Sequence, residues 1–110
     1  MREYNYWVYI LSNRSHTLYI GVTNNLSTRI AQHRQQSPGT HTAKYKVNRL
    51  VYFEHFQYIN NAIAREKELK HWTRAQKIAL IESTNPTWEE LMPNEPELIA
   101  SAENADSRRE

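Results

Sequence analysis

The sequence predicts a small α/β domain of the α+β kind, a three-stranded, mostly antiparallel sheet flanked by helices. Three observations carry that expectation. Two runs rich in β-branched and aromatic residues, Trp7-Val8-Tyr9-Ile10-Leu11 and Tyr19-Ile20-Gly21-Val22, flank the polar segment Ser12-Asn13-Arg14-Ser15-His16, as in a β-hairpin. A third such run, Leu50-Val51-Tyr52-Phe53-Glu54-His55-Phe56, stands further along the chain. Between and after these runs, helix-capping residues precede apolar residues at helical spacing.

In chain order, strands are expected over residues 6–12 and 18–23. Thr23, Asn24 or Asn25 caps a first helix whose Leu26 and Ile30 face the core, and Ser37-Pro38-Gly39-Thr40 stops it near Gln36. Residues 41–46 show no periodicity and read as a basic and aromatic loop. After the third strand, Asn60 or Asn61 caps a helix over 62–72, and Thr73 caps another over 74–82 with Ile78, Leu80 and Ile81 on its apolar face. Trp88 and Leu91 pack one last turn onto the body. From Pro93 the composition shifts to Glu, Pro, Ser, Asn and Ala, so the expected organisation is one domain over 1–92 and an acidic, loosely ordered tail over 93–110.

Composition excludes several classes. With no cysteine, neither disulfides nor a thiolate zinc site holds the chain together. No apolar run approaches the roughly 20 residues of a membrane span, and no export signal is recognisable, so the expected location is the cytoplasm. The net charge of +2 hides an asymmetry: residues 1–80 hold twelve Lys or Arg and four Glu, whereas residues 81–110 hold two Arg and eight Asp or Glu. A basic, aromatic-rich body is what a polyanion-binding domain shows.

Several side chains can carry chemistry. Side chains alternate along a strand, so a hairpin register exists in which the phenols of Tyr9 and Tyr19 share a face. Gly21, without a Cβ, lets a helix or a ligand approach the backbone closely. Arg29 and His33 are spaced i, i+4 on one helix face, with Arg29 near the helix start where free N–H groups favour an anion. Glu66 shares a helical stripe with Ala62 and Leu69, which sets a carboxylate on the inward face, where it needs a cation: Arg29, Lys70 or a divalent metal. Glu68 belongs to the solvated side. Lys67, Lys70, Arg74 and Lys77 suit either a nucleic-acid backbone track or an ordinary solvated face. Asn85 suits either a site residue or a helix-ending turn. The histidines lie on separate elements, against a histidine-zinc site.

These residues resemble the GIY-YIG nuclease family. The second signature stands intact as Tyr19-Ile20-Gly21, and the first is degenerate, Trp7-Val8-Tyr9, keeping its tyrosine. Arg29 follows Tyr19 by ten residues and His33 follows four later; Glu66 matches the family's metal-binding glutamate segment, and residues 84–91 look like the ending of small, stand-alone bacterial members. The resemblance implies Mg²⁺-dependent endonucleolytic hydrolysis of DNA, with Mn²⁺ as an alternative ion. Glu66 would hold the metal, Arg29 the phosphate, and Tyr9 would act as base, with Tyr19 and His33 in support. DNA would be gripped by Arg29, Lys44, Lys67, Lys70 and Arg74. No second reading domain is expected, which implies weak sequence specificity, a preference for single-stranded or branched DNA, and repair, recombination or uptake-type processing. Tyr45 and Tyr52 would be free to stack on bases. Val22 stands where the family often has lysine or another polar residue, which keeps an alternative open: a nucleic-acid-binding module of the same fold that cuts weakly.

Overall fold

Strand β1 (Tyr6–Ser12) is the centre of the sheet, pairing antiparallel with β2 (Leu18–Thr23) on one side and β3 (Arg49–Phe56) on the other. The computed structural model describes residues 4–35 and 47–91, without the side chains of residues 33–35. The mostly antiparallel sheet expected from the sequence is antiparallel throughout those strands. β1 is central because it is apolar on both faces; from Trp7 to Ser12 it is buried without interruption.

The alternation along β1 sorts the core into two layers. Val8 and Ile10 join Ile20, Val51 and Phe56 under α2 (Ile59–His71) and α3 (Arg74–Thr84), which contribute Ala62, Leu69 and Ile81. Trp7, Tyr9 and Leu11 point to the opposite face and pack with Leu26 and Ile30 of α1 (Leu26–Gln35) and with Val47 and Leu50. A one-residue slip of β1 would exchange these two sets, so both helical layers pin the register.

Caps follow the sequence at two helices and depart from it at the third. The side-chain oxygen of Asn25 accepts from the Thr28 N–H at 3.1 Å. Thr73 and Gln76 form a reciprocal capping box, with bonds of 3.2 and 2.9 Å. Neither Asn60 nor Asn61 caps α2, which starts earlier, at Ile59, behind an extended Tyr58 without a side-chain cap bond. Only Gln57 and Tyr58 separate β3 from α2, so the chain turns back onto the sheet before the asparagines, and burial of Ala62 and Leu69 holds the helix where local capping does not. α3 runs past the expected end at Glu82 to Thr84.

The β1–β3 register shifts between Ile10↔Tyr52 and Leu11↔Leu50, making Val51 the extra residue of a bulge. The segment after α3 satisfies the carbonyls there: Asn85 Nδ2 donates to the Val51 carbonyl at 3.1 Å, and the Leu91 N–H donates to that of Leu50 at 2.8 Å. Trp88 then stacks on His16 of the β1–β2 turn, with ring centroids 3.7 Å apart and planes within 4°. Both residues have positive φ, 59° and 61°, a conformation costly for non-glycine side chains and held here by the stack between two otherwise separate turns. No helix among the described residues is long and apolar enough to cross a membrane. The expected tail over 93–110 and the loop residues Lys44 and Tyr45 lie outside the described residues.

Candidate active site around Tyr9

Tyr9 lies directly opposite Gly21 in the β1–β2 ladder, and its ring covers the glycine. A Cβ at Gly21 would stand 2.5 Å from Tyr9 Oη and 2.6 Å from its Cζ, closer than packed atoms come. The close approach at Gly21 is therefore made by the Tyr9 ring of the neighbouring strand, not by the helix or ligand expected there. Tyr19, opposite Leu11, is the diagonal neighbour of Tyr9 on the same face, with ring centroids 6.3 Å apart and planes tilted by 42°. The phenols share a hydrogen bond. Tyr9 is 1% exposed and Tyr19 half-buried, so the pair reaches solvent through Tyr19.

Two charged residues act on this phenol. Burial pushes Tyr9 well above the ordinary tyrosine range; Tyr19 adds to the rise, the Arg29 guanidinium opposes it, and the Glu66 carboxylate reinforces it. Arg29 is exposed on the first turn of α1, whose opening bond runs from its own N–H to the Asn25 carbonyl at 3.0 Å. Glu66 comes from α2. The fold thus brings charges from α1 and α2 to bear on a phenol pair built by β1 and β2. His33 lies on α1 four residues after Arg29, and its side chain is outside the described residues.

Glu66 sits as its stripe requires. Ala62 and Leu69 are fully buried, and the Glu66 side chain is 17% exposed. Of the cations the sequence offers it, Lys70 makes the contact, with Nζ 3.2 Å from Oε2. Among the described residues no group of three or more His, Cys, Asp or Glu side chains comes together. A divalent ion held here would take carboxylate oxygen from Glu66 and complete its shell with water and substrate oxygens, an all-oxygen donor set of the kind Mg²⁺ accepts.

A second carboxylate escaped sequence reasoning. Glu54 on β3 receives the Arg65 fork of α2, Nε to Oε1 at 3.0 Å and Nη2 to Oε2 at 2.9 Å, and also a hydrogen bond from the Tyr52 hydroxyl. Arg65 Nη1 reaches Glu68 at 2.9 Å, and the guanidinium lies 5.1 Å from the Trp72 ring centroid. Its bond to Glu54 raises the guanidinium above its ordinary range, while burial and the same carboxylate raise the Tyr52 phenol. Tyr52 is therefore committed to the network and half-buried, not the open stacking surface expected of it. The Arg65–Glu68 spacing of i, i+3 was legible in the sequence; the cross-element partner Glu54 was not.

Asn85 resolves as a turn residue. Its Nδ2 donates to the carbonyls of Val51 and Glu89, and its Oδ1 accepts from the Glu89 N–H at 3.0 Å, so every polar group of the side chain is used in ending α3 and closing the bulge. The basic set divides between two helices. Lys67 and Lys70 are exposed on α2, Arg74 exposed and Lys77 half-buried on α3, with Trp72 and Thr73 extended between them.

Comparison with known proteins agrees with this geometry. The family model of the GIY-YIG catalytic domain matches residues 5–79. A UPF0213 protein of Clostridium perfringens is 42% identical over 77 residues, 70% of this chain and 83% of the relative. One from Staphylococcus haemolyticus is 36% identical over 77 residues, 70% of this chain and 94% of its own. The solution NMR structure of a UPF0213 protein from Bacillus halodurans superposes with a TM-score of 0.52 at 26% identity, covering 89% of this chain and 99% of that one. The chain therefore belongs to the GIY-YIG catalytic domain family and has the nuclease-type fold of that family.

Proposed function

We propose that this chain is a divalent-metal-dependent endonuclease that hydrolyses DNA phosphodiester bonds. It works with little sequence preference, favours single-stranded or branched DNA, and serves repair, recombination or uptake-type processing. The observation that carries this reading is the Tyr9–Tyr19 pair, with ring centroids 6.3 Å apart, under the opposed charges of Arg29 and Glu66. Arg29, exposed beside a helix start, has the planar fork that grips a phosphate bidentately. Glu66 is the residue to hold Mg²⁺ or Mn²⁺, which when bound supplies positive charge against the developing negative charge of the reacting phosphate. Tyr9 takes the proton of the attacking water, Tyr19 orients the water or phosphate through its hydroxyl, and His33 supports them. Lys67, Lys70 and Arg74, with Lys44, grip the strand backbone.

Tyr9 is buried and held neutral, so its service as a base depends on positive charge near it. The rate is expected to climb with pH from about 7 to 9, because the base form is the scarce one. In Tyr9→Phe both the rate and its rise with pH should disappear; a flat profile in the wild type would assign the base role elsewhere.

The direct test is cleavage of end-labelled single-stranded, duplex and branched DNA, with Mg²⁺, Mn²⁺ or chelator, by wild type and Glu66→Ala. Metal-dependent products lost in the variant support the nuclease, and their distribution gives its preferred substrate. The alternative, a binding module that cuts weakly, draws on Val22, which packs with the apolar cluster of Val8 and Ile10 and so brings no polar group to the site. Intact DNA in every lane with a retained gel shift would select that alternative.

A further inference from the structure

The Glu66–Lys70 pair is lopsided. The carboxylate is 17% exposed, whereas the lysine side chain is 53% exposed and touches a single oxygen at 3.2 Å. A carboxylate on the buried stripe of α2 needs a cation, and Lys70 supplies one from the solvent side. The contact is easily given up. An ammonium on a flexible four-carbon stem is a hydrated point charge that pivots freely, unlike the Arg65 fork that holds Glu54 through both oxygens. A divalent ion entering at Glu66 would meet that ammonium within a few ångströms as a like charge, in surroundings screened less than bulk water.

We propose that Lys70 is an exchangeable counter-ion of Glu66. It neutralises the carboxylate while no metal is bound, yields when a divalent ion binds, and then carries its charge to a phosphate oxygen of the nucleic-acid strand. The inference rests on Glu66 as metal ligand. It assigns Lys70 two effects of opposite sign: Lys70 weakens metal binding to the free protein and strengthens nucleic-acid binding to the metal-loaded one. Binding linkage is reciprocal, so a strand that draws Lys70 outward also tightens the metal. A lysine that served only as a surface charge would lower nucleic-acid affinity when removed and leave the metal unaffected.

The test uses the full chain. Mg²⁺ is titrated into ¹⁵N-labelled wild type, Lys70→Gln, Lys70→Ala, Lys70→Arg and Glu66→Gln without nucleic acid, following the Glu66 amide by NMR, with thermal melts recorded in parallel. Loss of a partly exposed ion pair should tighten Mg²⁺ about two- to fivefold in both neutral variants, whereas Lys70→Arg, which keeps the charge and grips the carboxylate more firmly, should bind Mg²⁺ no tighter than wild type. Mg²⁺ should also raise the melting temperature of the neutral variants more than that of wild type. With saturating Mg²⁺, a nuclease-resistant phosphorothioate oligodeoxythymidine should bind the neutral variants more weakly, with a log-affinity against log-salt slope shallower by about 0.7, one phosphate contact on a single strand. Unchanged or weaker Mg²⁺ binding in both neutral variants overturns the proposal while Glu66 stands as ligand. Undiminished Mg²⁺ binding in Glu66→Gln overturns the reading of Glu66, and the proposal with it.

Discussion

Glu54 and Glu66 are both half-buried carboxylates beside α2, and they are held in opposite ways. Glu54 is saturated by the two-pronged Arg65 fork and the Tyr52 hydroxyl. Glu66 has one lysine on one oxygen, and the charge it keeps is felt by Tyr9. A carboxylate whose lone pairs are used up locks two elements together; one that is under-partnered beside a buried phenol remains available for chemistry. The fork at Arg65 belongs to the residue next to Glu66, so that pair ties β3 to the turn of α2 on which Glu66 stands.

The contrast can be broken most severely at Arg65. Arg65→Met leaves Glu54 buried without its cation and is expected to cost about 3–5 kcal/mol in urea denaturation. A cost below about 1 kcal/mol would make the fork an ordinary surface pair and remove the contrast. Glu66→Gln should behave in the reverse manner, lowering DNA cleavage roughly 10²–10³-fold while shifting stability by no more than about 1 kcal/mol. Equal losses of activity and stability there would make Glu66 a second structural carboxylate. Gly21→Ala tests the phenol that Glu66 acts on: the new methyl must displace Tyr9 Oη, at about 1–3 kcal/mol in thermal denaturation, and cleavage should fall further than the folded fraction does. The smallest effect is expected at Asn85. Asn85→Ala strips partners from Val51 and Glu89, at about 1–2 kcal/mol, and cleavage per folded molecule should hold. A specific loss of cleavage would return Asn85 to the site.

Legibility in the sequence followed range along the chain. The strands, the Asn25 and Thr73 caps, the shared face of Tyr9 and Tyr19, and the inward stripe of Glu66 all rest on spacings of a few residues, and the structure has them as read. The start of α2 was misread because sheet burial, not an asparagine cap, decides where that helix begins. Tyr52 was misread because its partner Glu54, two residues away on the same strand, is placed by Arg65 from another element. The bulge at Val51 was hidden for the same reason, since the hydrogen bond from Asn85 that serves it joins residues 34 positions apart, whereas the helix-ending turn at Asn85 was one of the two roles its local setting allowed.

By itself the sequence determined the element order, the antiparallel hairpin and the residue types offered to the candidate site. Periodicity and capping are local, and each is settled by neighbours within one or two turns. Only the tertiary structure decided which carboxylate is saturated and which is left open, and that burial outweighs Arg29 at the Tyr9 phenol. Those outcomes depend on which of many compatible charges arrive in the same few ångströms and how much water is excluded there, and the packing of helices on a sheet settles both.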